Sequence, residues 1–263
     1  MIGWDVRDGI GVLTLANPPL NLVTLEQTQR LHQALDAAAA MPDLRALVLT
    51  GAGDKAFCAG SDLSQFGPLM NPGKVIPGKL GPENAAFSKL AALRIPTVAA
   101  LNGLAYGGGL EMACCCDLIV ADERARFCLP EIKLALIPGS GGAVRVGRRI
   151  GEGRLREMIL LGEPIDAATA LSWGLVNRVV QAQQALSAAL QLAATLATRS
   201  PHGLDLCKQA IATALAEPED AAIARTFDMS DAAFSSADAK EAMRAFFAKE
   251  PPRFQPVAGR RQP

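Results

Sequence analysis

The feature that most constrains this chain is the run Asn102 to Met112, NGLAYGGGLEM, in which three consecutive glycines at 107–109 stand just ahead of Glu111. Glycines let a backbone turn tightly and bring bare N–H groups against a ligand, and the apolar residues that follow predict a helix opening here. A helix start leaves its first N–H groups unpaired. Those donors, with the positive end of the dipole, favour an oxygen that gains negative charge during a reaction. The run points to carbonyl chemistry with a carboxylate alongside.

A chain of 263 residues fits one domain, or one with a C-terminal extension. Half of it is hydrophobic and a fifth is charged, yet no uncharged apolar stretch approaches the ~18 residues of a membrane span. The N-terminus, MIGWDVRDG, carries charges early and lacks the apolar core of a signal peptide, so a cytoplasmic protein is expected. Lys and Arg number 26 against 26 Asp and Glu, which leaves no net positive field to hold nucleic acid or anionic lipid.

Six cysteines, at 58, 114, 115, 116, 128 and 207, form no C-x-x-C pair. Neighbours on a helix point about 100° apart, so Cys114, Cys115 and Cys116 cannot all aim at one ion. They are expected to be small buried hydrophobes, with no metal bound.

Val-, Ile- and Leu-rich runs predict strands at Ile10–Leu15, Ala46–Thr50, Thr97–Leu101, Asp117–Ala121 and Val176–Val180. Helical spacing lies between them at Leu25–Met41 and Glu83–Leu93, which makes an α/β core. Ala- and Leu-rich helices follow at Ala182–Arg199, His202–Ala216 and Ala221–Phe234, suited to packing on a core or a neighbouring subunit. Gly67–Pro82 holds four glycines and four prolines in sixteen residues and is expected to be a long surface loop, a lid or wall of a site.

Two motifs mislead. Gly51-Ala52-Gly53 follows a strand, but Asp54 to Gly60 runs into another glycine turn where a dinucleotide fold needs a helix. Gly139-Ser140-Gly141-Gly142 lacks the G-x-S-x-G spacing of a nucleophile elbow. His32 and His202, the chain's only histidines, fall on helical segments and read as structural or solvated, so a Ser-His-Asp hydrolase is not expected.

Taken together and in order, FCAGSDL, PTVAALNGLAYGGGLEMACCCDLIVA, ARFCLPEIKLALIPGSGG and LGEPIDAATALSWGLVNRVV resemble the enoyl-CoA hydratase/isomerase, or crotonase, family over nearly the whole chain. The resemblance implies a crotonase-like spiral of ββα units. Residues 1–195 would form the core, and 196–263 a helical C-terminal region that assembles a trimer or a dimer of trimers.

It also implies an acyl-CoA substrate and no separate cofactor or metal. The N–H groups of Ser61 and Gly108 match an oxyanion hole for the thioester oxygen, with Ser61 where alanine or glycine is usual. Glu111 and Glu131 match two carboxylates on either side of a water, Glu111 activating it and Glu131 exchanging a proton at the α-carbon. Gly139 matches a position whose N–H orients that water. Acyl-CoA contacts fall at Ala59, Ser61, Asp62, Leu63, Gly108 and Lys249, while Ser64 replaces a phosphate-binding lysine of some members.

The implied reaction is hydration of a 2-enoyl-CoA to a 3-hydroxyacyl-CoA. The alternatives are a double-bond isomerase, a hydratase for a specialised acyl group shaped by Phe66 and Met70, and an inactive binding protein that kept the fold.

Overall fold

The computed structural model describes residues 1–254. The strands are β1 (Ile2–Arg7), β2 (Ile10–Leu15), β3 (Ala46–Gly51), β4 (Ala56–Cys58), β5 (Thr97–Leu101), β6 (Leu104–Tyr106), β7 (Leu118–Asp122), β8 (Arg126–Cys128), β9 (Ile165–Asp166) and β10 (Arg178–Val180). A larger sheet has the order β1-β2-β3-β5-β7-β10, antiparallel in the β1–β2 hairpin and parallel from there on. A smaller sheet has the order β4-β6-β8-β9.

The helices are α1 (Leu25–Ala40), α2 (Gly81–Ala91), α3 (Gly108–Ala113), α4 (Gly142–Ile150), α5 (Glu152–Leu161), α6 (Ala167–Ser172), α7 (Ala185–Ala197), α8 (Pro201–Ala216), α9 (Glu219–Ser235) and α10 (Ala237–Ala248). Three times the chain lays one strand in the larger sheet and the next in the smaller one before turning into helix: β3–β4, β5–β6 and β7–β8. This is the expected ββα step.

Strands buried on both faces carry no polar alternation, and β3 and β5 are buried at every residue. Leu47 and Leu49 face the main core, which includes Leu31 and Leu35 of α1 and Phe87 and Leu90 of α2. Ala46 and Val48 point the other way, joining Val98, Ala100 and Val120 under Ala185, Ala189 and Ala193 of α7. The four-residue spacing of those alanines gives α7 a flat stripe that lies close on the sheet.

The expected strands and helices form with small shifts: the strand placed at 117–121 runs Leu118–Asp122, and that at 176–180 narrows to Arg178–Val180. The segment Gly67–Pro82 departs from expectation. It is a surface wall, but it winds into a 3-10 turn at Gly67–Met70, a π turn at Ile76–Leu80 and the start of α2. Its prolines cause no break because Pro68, Pro77 and Pro82 each fall in the first turn of one of these elements, where no N–H is required.

Arg94 Nε to Asp205 at 2.7 Å and Lys208 Nζ to Asp117 at 2.6 Å tie α8 to the core. The expected boundary between 195 and 196 falls inside α7, and residues 255–263 of the expected C-terminal region lie outside the described residues. Among the described residues no helix is long and apolar enough to cross a membrane.

Candidate active site

The glycine run joins β6 to α3, and each glycine answers a different demand. Gly107 has φ +47°, a conformation L side chains rarely adopt, and a Cβ there would lie 2.7 Å from Glu131 Oε1. A Cβ at Gly109 would lie 2.1 Å from the carbonyl oxygen of Cys58, the last residue of β4, so only glycine lets α3 start against that strand. Gly108 opens toward Ser61 Oγ, 3.5 Å from where its Cβ would be.

The smaller sheet sets the meeting of the two glutamates. Tyr106 pairs with Cys128, and the Gly107 N–H donates to the Cys128 carbonyl at 2.9 Å. Three residues beyond Cys128, Glu131 opens a 3-10 turn (Glu131–Leu134) beside Gly107. From the other side, Glu111 Oε2 lies 4.0 Å from the Cβ position of Gly108. The two carboxylates therefore flank the adjacent residues 107 and 108.

Glu111 is buried within α3. Its Oε1 accepts the backbone N–H groups of Ser140 at 2.9 Å and Gly142 at 2.7 Å, and a Cβ at Gly142 would press to 2.9 Å from that oxygen. Burial, the charges of Glu131 and Glu83, and the weaker opposing pull of the two amides leave its pKa pushed up to about 7. Burial also raises Glu131, with Lys79 pulling it back. Glu131 Oε2 is buried with no partner among the described residues, which is costly unless a water or ligand supplies a hydrogen bond. Carboxylates placed in this way discourage each other's ionisation, so their titration belongs to the pair.

Ser61 sits in a parallel bridge with Val23 made by Val23 N–H to Gly60 O at 2.8 Å and Asp62 N–H to Val23 O at 2.9 Å. In that pattern the N–H of Ser61 itself points to the opposite side from Val23. Asp62 caps the 3-10 turn Leu63–Gln65, accepting the N–H of Ser64 at 3.0 Å and its hydroxyl at 2.6 Å. Ala59 donates to Leu20 O at 2.9 Å, and Leu63 is exposed.

Gly139 lies in the same turn as the Glu111 partners, with its carbonyl accepting from Asn84 Nδ2 at 3.1 Å, but the amides that reach Glu111 belong to Ser140 and Gly142. Lys249, in a left-handed cap at the exposed end of α10, has no described contact with this cluster.

Three participants escaped the sequence reading. Glu83 is 3% exposed, accepts the Ser140 hydroxyl at 2.6 Å and pairs with Lys79. A signal existed: Glu83, Ala86, Phe87 and Leu90 share the buried stripe of α2, so an acid occupies a core position. Lys79 and Ser140 carried no comparable sign. Glu83 and Lys79 line a cavity with Val23, Thr28, Phe66 and Leu69, whereas Met70 is 77% exposed and stays outside it.

Cys114, Cys115 and Cys116 are buried, and burial drives the Cys115 thiol up to about 12, as suits inert packing. His32 contacts Lys89 Nζ at 2.7 Å on the surface of α1.

The family model for enoyl-CoA hydratase/isomerase matches residues 5–256. The chain is 35% identical to a probable enoyl-CoA hydratase of Mycobacterium bovis, over 93% of this chain and 94% of that protein. It is 34% identical to a short-chain-enoyl-CoA hydratase of Clostridium acetobutylicum, over 91% and 92%. The crystal structure of an enoyl-CoA hydratase from Bacillus anthracis superposes with a TM-score of 0.91 at 31% identity, covering 96% of this chain and 98% of that one.

Proposed function

The chain belongs to the enoyl-CoA hydratase/isomerase family, and on that premise we propose that it is a hydratase adding water across the 2,3 double bond of a 2-enoyl-CoA. The product is a 3-hydroxyacyl-CoA. The observation that carries this reading is the placement of two carboxylates, the buried Glu111 and the half-buried Glu131, against the same pair of glycines, with one buried Glu131 oxygen left without a partner among the described residues.

In the proposed reaction the thioester oxygen accepts the N–H groups of Ser61 and Gly108. Water attacks C3, the ionised Glu111 takes the proton that water loses, and the π electrons move through C2 to the thioester oxygen as an enolate. The enolate collapses by taking the proton of Glu131 onto C2. Backbone donors fixed in a dry site stabilise that developing charge without reorganising. The Ser140 and Gly142 amides hold Glu111 in place, and the proton returns from Glu111 to Glu131 through solvent between turnovers. No group beyond the acyl-CoA is needed.

An isomerase moves a proton at a carboxylate and has no use for a water-activating partner, so the second carboxylate favours hydration. The family resemblance carries a further expectation, a homotrimer or dimer of trimers, with Lys249 serving the CoA phosphates. Exposed Phe227, Phe234, Phe246 and Phe247 on α9 and α10 support burial of that region against another copy.

The test is loss of the conjugated enoyl-thioester absorbance across a panel of acyl-CoAs. Conversion of crotonyl-CoA to 3-hydroxybutyryl-CoA supports the reading. Formation of a 3-enoyl-CoA without uptake of water supports the isomerase, and no turnover of any acyl-CoA supports an inactive binding protein.

A further inference from the structure

Two carboxylates, Glu111 and Glu83, converge on the turn before α4, and the charge of Glu131 bears on the first of them. Ser140 is 1% exposed and bonds at both ends: its N–H reaches Glu111 Oε1 at 2.9 Å and its hydroxyl reaches Glu83 Oε2 at 2.6 Å. The other oxygen of Glu83 is held by Lys79, from the π turn of the cavity wall, whose ammonium also lies 5.6 Å from the centre of the Phe66 ring. Arg145 Nη1 closes the turn on the Ser140 carbonyl at 3.0 Å.

Glu83 occupies a stripe position of α2 that an apolar residue would fill at no desolvation cost, and a buried ion pair is weak ground for stability. What its carboxylate does hold is the Ser140 hydroxyl and Lys79. We propose that Glu83 is a positioning residue for the Glu111–Glu131 pair, acting through Ser140, with Lys79 as the counter-ion that ties the Gly67–Pro82 wall to that pair. The proposal rests on the hydratase reading, in which those two glutamates act on water.

The charge of Glu83 disfavours ionisation of Glu111, and that of Lys79 favours ionisation of Glu131. Arg145 also faces the cluster, from α4, and burial drives the thiols of Cys58, Cys114 and Cys115 up to about 12, 11 and 12, which keeps them neutral in the working range.

The experiment is the pH profile of kcat/KM for crotonyl-CoA in wild type, Glu83→Gln, Lys79→Met and the double variant. Removing the negative neighbour makes ionisation easier, so Glu83→Gln should move both limbs to lower pH by on the order of one unit. Removing the positive neighbour does the reverse, so Lys79→Met should move both limbs to higher pH. The double variant should return close to wild type.

A structural staple predicts a lower Tm with unmoved limbs, and that result, or shifts of the same sign in both single variants, overturns the proposal. If Glu83→Gln does not fold, Lys79→Met decides alone: an upward shift supports the proposal and unmoved limbs overturn it. A wild type that hydrates no enoyl-CoA, by contrast, overturns the hydratase reading beneath it.

Discussion

Two regions in the interior of this molecule are built on opposite terms. Where α7 covers the larger sheet, Ala46, Val48, Val98, Ala100 and Val120 meet Ala185, Ala189 and Ala193 in one apolar cluster. Around α3 the chain buries Glu111, Glu83 and an oxygen of Glu131, and supports them with main-chain amides, a hydroxyl and a lysine. Burial stabilises the first region and burdens the second. Buried acids at positions an apolar residue would fill cost stability, and groups burdened in this way cluster at functional sites.

The contrast breaks first at activity. Glu131→Gln should lower kcat on crotonyl-CoA by about 10³-fold or more, equivalent to roughly 4 kcal/mol at the transition state, with an unchanged circular dichroism spectrum. Near-normal turnover would return Glu131 to the status of a surface turn.

A deletion in the sheet should have the inverse profile. Leu47 is fully buried in the main core, so Leu47→Ala should cost about 2–5 kcal/mol in urea unfolding, by the same amount at pH 5 and pH 8.

Glu111→Gln sharpens the comparison by making stability depend on pH. The folded state holds the Glu111 proton up to about pH 7 against an ordinary 4.5, so it binds more protons than the unfolded chain between those values. Wild-type stability therefore falls across that window as pH rises, and the glutamine variant escapes the loss. At pH 8 Glu111→Gln should be favoured over wild type, relative to pH 5, by on the order of 3 kcal/mol. Equal differences at the two pH values would mean that Glu111 is not burdened by its surroundings. The smallest effect belongs to Ser61→Ala: because the proposed donor is the main-chain N–H, kcat/KM should stay within about threefold of wild type.

The same division decides what the sequence revealed. The strands β2 and β5 were readable to the residue because continuous runs of apolar residues have one simple physical meaning. The glycine run and Glu111 were readable because tight backbone approach excludes other residues. β4, β6, β8 and β9, of two or three residues each, are too short to carry a period, yet they form the sheet that delivers Glu131 to Gly107. The pairing of the glutamates was accordingly implied by family resemblance and not by spacing. Glu83 was hidden in plain view, since a first-turn acid after proline has an ordinary explanation until its place on the apolar stripe is noticed. The wall at Gly67–Pro82 was misjudged because prolines were counted without asking which turn position each would take.

The central claim is that Glu111 and Glu131 work as one unit on one water. Comparing kcat on crotonyl-CoA for Glu111→Gln, Glu131→Gln and the double variant tests it most directly. Groups that act together are strongly non-additive, so each single change should lose about as much as both combined, within roughly tenfold. Losses that multiply in the double variant would show two independent residues and contradict the account.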